Sequence, residues 1–196
     1  MKRKRIVIGI GGSGPGAGKD TVATMISSWL VQRTSLTTYT THFAQRIKWM
    51  LQDEFHLTHE QLHGNAKEVV DERYNKTPRE LMKLVANWFK NDIDPNWWIT
   101  KLDTFVRAST AEVVIIPDVR FANEIEYITS FDDHLLIYVN RPPVQTQLPF
   151  VEVVNHAMNL NHPDVDFIID NNGDYTTLQS IVYKFASEYF ADDIKR

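Results

Sequence analysis

The chain of 196 residues contains no cysteine. That excludes disulfides, thiolate metal sites and a cysteine nucleophile, and it suits a reducing, cytoplasmic setting. No apolar run approaches the ~20 residues of a membrane span. The opening MKRKRIVIGIGG imitates a leader peptide. Its apolar stretch is broken by Gly9, however, and falls short of the usual core of ~7–15 residues, so a buried first strand is the better reading. An excess of positive charge is missing too. The formal net charge of −4 argues against a general nucleic-acid binder, whose affinity comes from neutralising phosphates. Residues 142–164 hold no lysine or arginine at all. They are too long for a compact connection, which in an α/β enzyme means a lid or binding loop. Glycine is scarce, 8 in the chain, yet it crowds into one place near the start.

That place reads GGSGPGAGKDT, residues 11–21. Glycines let the backbone curl so that successive N–H groups point inward at oxygens. A helix starting at the same point adds the positive end of its dipole, and Lys19 adds a full charge. The common phosphate-loop spacing wants glycine first and a hydroxyl directly after the lysine. Here Ser13 and Asp20 stand in those places. Ser13 is acceptable only with ordinary backbone angles, since a side chain penalises positive φ. Asp20 offers Mg²⁺ an oxygen directly or through water, and Thr21 offers a hydroxyl next door. The expected cradle is Ser13, Gly14, Gly16, Ala17, Gly18, Lys19, Asp20 and Thr21, binding ATP with Mg²⁺. The bland alternative is a flexible linker that contains a lysine. The strand before and the helix after argue against it.

The rest of the chain alternates short apolar runs with amphipathic stretches. RIVIGI, EVVIIP, HLLIYVN and DFIID read as strands covered on both faces, and residues 37–41 as a further strand. In the first helix Val22, Met25, Ile26, Trp29 and Leu30 share a face. Thr77, Pro78 and Glu80 spell a capped helix start, and Asp94 with Pro95 repeats the device. The length fits a single domain over residues 1–196, with a lid at about 142–164 and a helical region at about 42–110. Alternation of this kind implies a three-layer α/β/α fold around a parallel sheet of about five strands.

Several segments are more specific. GPGAGKDT is similar to the loop of nucleoside monophosphate kinases. FAQRIK, TPRELMKLVANWF, DPNWW, PDVRFANE, NRP and DFIIDNNGDYTTL then follow in the order and rough spacing of the phage-type deoxynucleoside monophosphate kinases. The resemblance runs from Ile6 to about Leu178. It implies a P-loop kinase fold and Mg²⁺-dependent transfer of the γ-phosphate of ATP to a (deoxy)nucleoside monophosphate, without a membrane partner. It further implies that Asp118 is an outer-sphere magnesium or acceptor-contacting carboxylate, and that Arg120 is a ligand of the acceptor phosphate. Asn172 and Gly173 would read the adenine of ATP, or form a plain Asn-Gly turn. Where that family tends to show an acidic residue three after a lid histidine, this chain has Asn159.

Arginine suits phosphate because its planar fork gives two parallel hydrogen bonds. Arg79, in the first turn after Thr77, is expected on the acceptor phosphate, with an ion pair to a nearby carboxylate as the alternative. Phe43 would stack on the acceptor base, or be core, while Lys48 reaches its phosphate. Trp98 joins this acceptor side, although Trp97 and Trp98 also read as core plus a homodimer interface. With no cation in the lid, Arg141 at its root must supply the charge, and His156 either bonds phosphate or pins the lid. His56, His59 and His63 tempt a zinc reading, but Thr58 and Gln61 form a capping box that leaves His56 outside the helix. The rival functions are a kinase of another acceptor (phosphomevalonate, dephospho-coenzyme A or a modified base in DNA) and a nucleotide-binding regulator that transfers nothing.

Overall fold

The computed structural model describes residues 5–142, 158 and 161–194. Strand β1 (Ile6–Gly12) is buried at every position. β3 (Val113–Ile116) and β4 (Asp133–Asn140) flank it, both parallel to it. β2 (Thr38–Thr40) pairs with β3 and β5 (Phe167–Asp170) with β4, again in parallel. The order is therefore β2-β3-β1-β4-β5. Runs such as VVII are apolar at consecutive positions because both faces of a parallel sheet are covered.

Alternate residues sort to the two faces. Ile8 lies opposite Ile115 on one side and Leu135 on the other. With Ile6, Ile10, Ile137 and Val139 they form one core with α1 (Lys19–Arg33) and α7 (Tyr175–Tyr189). α1 buries Val22, Met25, Ile26, Trp29 and Leu30, the face expected from their spacing. α6 (Ala122–Thr129) packs on β1 and β4. Gly9 admits it: a Cβ there would meet Leu136 and Ile128 side chains at 2.9 and 3.0 Å. The result is the expected three-layer α/β/α architecture around a five-stranded parallel sheet.

Since all strands run the same way, the connections leaving β1, β3, β4 and β5 emerge along one edge. The chain passes from β1 outward to β2, returns through β3, and then crosses over β1 to β4. This reversal beside β1 is where open α/β sheets bind ligands.

Residues 43–105 form a second compact unit, separate from residues 1–42 with 106–196. It contains α2 (Gln45–Phe55), α3 (His59–His63), α4 (Pro78–Trp88) and most of α5 (Trp97–Ala108). Ile47, Leu51, Leu57, Leu62 and Leu81 make its core. Both capping boxes are present, Thr58 with Gln61 and Thr77 with Glu80. His56 sits outside α3 with φ 52°. Some boundaries differ from expectation. α4 closes in a wider π-type turn, Phe89–Ile93. The Asp94 carboxylate accepts the Asn96 N–H at 2.8 Å, an Asx turn that delays α5 to Trp97. No helix among the described residues is long and apolar enough to cross a membrane.

Candidate active site

The loop after β1 is built on three left-handed glycines. Gly14, Gly16 and Gly18 have φ of 153°, 75° and 99°, whereas Ser13 is not among the residues with positive φ. A serine is therefore tolerated where the common pattern has glycine. Its side chain has another task. Ser13 Oγ donates to the Arg141 carbonyl at 2.8 Å and accepts the Arg141 N–H at 3.1 Å. The Ser13 N–H goes to Val139 O at 3.1 Å. Ser13 thus fastens the loop to the end of β4, and any part it plays in binding is through that placement.

The carbonyls of the loop are held by side chains. Lys19 Nζ donates to Gly14 O at 2.9 Å, Arg141 Nη1 to Gly16 O at 3.1 Å and Asn171 Nδ2 to Ala17 O at 2.8 Å. In a trans peptide the carbonyl and the next N–H point opposite ways. Anchoring Ala17 O to Asn171 therefore turns the Gly18 N–H away from that anchor. α1 begins at Gly18 without a side-chain cap, so its first-turn N–H groups have no intrahelical acceptor. Such a helix start attracts an anion.

Lys19 is held below its ordinary pKa, first by burial and then by the charge of Arg120, against the opposing pull of Asp20 and Asp118. The cations and carboxylates named from sequence therefore share one electrostatic neighbourhood. Asp118 follows β3 and is half-buried, and Arg120 is exposed. Asp20 Oδ1 is 2.8 Å from His42 Nε2, a partner that lies beside it only through the tertiary fold. Thr21 is half-buried in the first turn of α1.

Two further residues were not singled out from sequence. Asn171, 5 % exposed, touches the loop in place of its exposed neighbours Asn172 and Gly173. A Cβ on Gly18 would lie 2.6 Å from its Nδ2. Its signal was its position directly after a strand, masked by the Asn-Gly pair that follows. Glu124 is buried at 8 % exposure and accepts the Arg120 N–H at 2.7 Å and the Phe121 N–H at 3.0 Å. It stood within PDVRFANE, but nothing local distinguished it from a helix cap.

In the helical unit, Phe43 is buried at 5 % exposure, which is its core alternative. Arg79 Nε donates to Glu68 Oε1, the ion-pair alternative. Lys48 Nζ lies 3.4 Å from His63 Nδ1. Trp98 donates to Ala86 O at 3.1 Å and packs edge-on against Phe89. His156, Asn159 and most of the expected lid lie outside the described residues.

No protein-family model matches the chain, and no curated protein does. Among solved structures it is similar to a shikimate kinase from Bacteroides thetaiotaomicron, at 15 % identity and TM-score 0.46, over 95 % of this chain and 98 % of that one. A dephospho-CoA kinase from Campylobacter jejuni matches at 15 % identity and TM-score 0.47, over 96 % and 98 %. A shikimate kinase from Acinetobacter baumannii in complex with shikimate matches at 13 % and 0.43, over 98 % and 96 %. Superpositions this loose say nothing about which molecules this chain binds.

Proposed function

We propose that the chain is a Mg²⁺-dependent kinase that transfers the γ-phosphate of ATP to a (deoxy)nucleoside 5′-monophosphate. The observation carrying this reading is the glycine loop itself, with Gly14, Gly16 and Gly18 at positive φ and Lys19 Nζ bonded to Gly14 O at the start of α1. Arg120 and Asp118 both act on the charge of Lys19. Loop amides and the α1 terminus cradle the donor phosphates, and Lys19 neutralises charge on the transferred group. An acceptor phosphate oxygen forms a bond to Pγ while the bridging bond to the β-phosphate breaks, and ADP leaves with that electron pair. The acceptor phosphate is already anionic at pH 7, so no general base is needed. Placement and charge neutralisation supply the catalysis.

The residues suit magnesium. Asp20 and Thr21, in the first turn of α1, and Asp118, after β3, offer oxygen ligands. Mg²⁺ characteristically takes one or two carboxylates and completes its shell with water and phosphate. When bound it would neutralise the donor phosphates.

A second acceptor class is favoured by a specific observation. Phe43 is buried and Arg79 is paired with Glu68, so two of the expected monophosphate contacts are engaged within the helical unit. A kinase of another small phosphorylated acceptor would need neither. A coupled assay with ATP across the four common dNMPs decides: turnover of one or more supports the first reading. ATP consumption with other small phosphorylated acceptors alone supports the second.

A further inference from the structure

We propose that Glu124 is the positioning residue that sets Arg120 at the phosphate loop. This deepens the reading above and rests on it for the phosphoryl ligand. One oxygen, Oε2, accepts both the Arg120 and the Phe121 N–H. From the other side Met158 N donates to Arg120 O at 3.1 Å. Arg120 is therefore tied at both of its main-chain polar groups, although its side chain is exposed.

A helix cap alone would not look like this. Glu80 is the comparison within the same chain. It is exposed, bonds the Thr77 N–H and hydroxyl, and is held below the ordinary carboxylate range by those bonds. Glu124 reaches one residue upstream of the N-cap position, Phe121, and its shorter bond is the one to Arg120. It is also buried, which costs free energy for a carboxyl group. Burial, followed by the charge of Asp118, raises it to about 7. Neither protonation state alters the argument, since an acid carbonyl and a carboxylate both offer lone pairs to the two N–H groups. What the site needs at this position is an acceptor of the right length.

The consequence is preorganisation. An arginine on a fixed main chain presents its charge to an oxyanion at less conformational cost than one on a free loop. The test is a double-mutant cycle read by calorimetric binding of inorganic tripolyphosphate to the full chain. Glu124→Ala is expected to weaken binding roughly tenfold, as befits a contact that directs a charged hydrogen bond. Glu124→Gln, which keeps an oxygen of the same reach, stays within about twofold. In an Arg120→Ala background Glu124→Ala has no further effect. Should Glu124→Ala not fold, Glu124→Asp carries the same cycle, because it is one methylene too short to reach both N–H groups. Wild-type affinity in Glu124→Ala or Glu124→Asp, an equal loss with and without Arg120, or a Gln variant as weak as the Ala variant overturns the inference. A protein that shows the expected cycle yet turns over no dNMP keeps it and ends the monophosphate reading instead.

Discussion

The cations of the two units end on different kinds of partner. At the sheet edge Lys19 and Arg141 donate to peptide carbonyls. In the helical unit Arg79 ends on Glu68 and Arg73 on Asp71 at 2.6 Å. Arg46 lies over Trp49 and Phe105, and Lys101 over Trp97. A carbonyl fixes the direction of a cation and leaves its charge whole, whereas a carboxylate cancels most of it. An oxyanion arriving at the glycine loop therefore meets cations bonded to neutral carbonyls, with Asp20 and Asp118 acting on Lys19 only through their field. At Arg79 it must first displace Glu68. What a cation is already bonded to tells more about anion binding than its exposure does.

Lys19→Ala should break the stronger side of this contrast most severely. A loss of phosphotransfer of about 10³-fold or more is expected, with the fold intact by circular dichroism. Next, Arg120→Ala should raise the acceptor KM by roughly tenfold or more, and Arg79→Ala by only about twofold to threefold, in keeping with a charge-assisted contact against a surface pair. Equal effects of the two arginine variants in steady-state kinetics would erase the distinction. Asn171→Ala, which frees the Ala17 carbonyl, should weaken ATP about fivefold, the scale of one lost hydrogen bond, as measured by calorimetry.

The smallest effects are on stability against pH, and they run in opposite directions. Glu124 is raised from 4.5 to about 7, so its contribution is complete at acid pH and is lost as pH rises through about 7. The Asp71 carboxyl is depressed, chiefly by its hydrogen bond from Arg73. Its contribution is present above the ordinary carboxylate range and is lost as pH falls below it. In urea titrations Glu124→Gln should flatten the dependence between roughly pH 5 and 8, and Asp71→Asn the dependence below roughly pH 4.

The sheet was readable because β1, β3 and the middle of β4 are buried apolar runs, and two helix starts carry their own capping boxes, at Thr58 and Thr77. The glycine loop was readable because a left-handed turn leaves a mark that few other residues can make. Asn171 and His42 were hidden because each meets a partner that only the fold brings beside it: Asn171 meets Ala17 across 154 positions, and His42 meets Asp20 across 22. The Glu124 bond to Arg120 spans only four, but its burial depends on packing that no local pattern announces. At Arg79 the two sequence readings, an acceptor phosphate and an ion pair, could not be separated locally, and the ion pair is the one present. The helix-start position suggested an anion, while Glu68 came from a turn whose place against α4 only the fold reveals.

The central claim is that phosphate leaves ATP at this loop for a (deoxy)nucleoside monophosphate. It is met most directly by following ADP release with ATP and each of the four dNMPs in turn, for the wild-type chain and Lys19→Ala. ADP release that requires one of the acceptors and vanishes in Lys19→Ala is the expected result. ATP bound by the wild-type chain with no acceptor-dependent ADP release would contradict it.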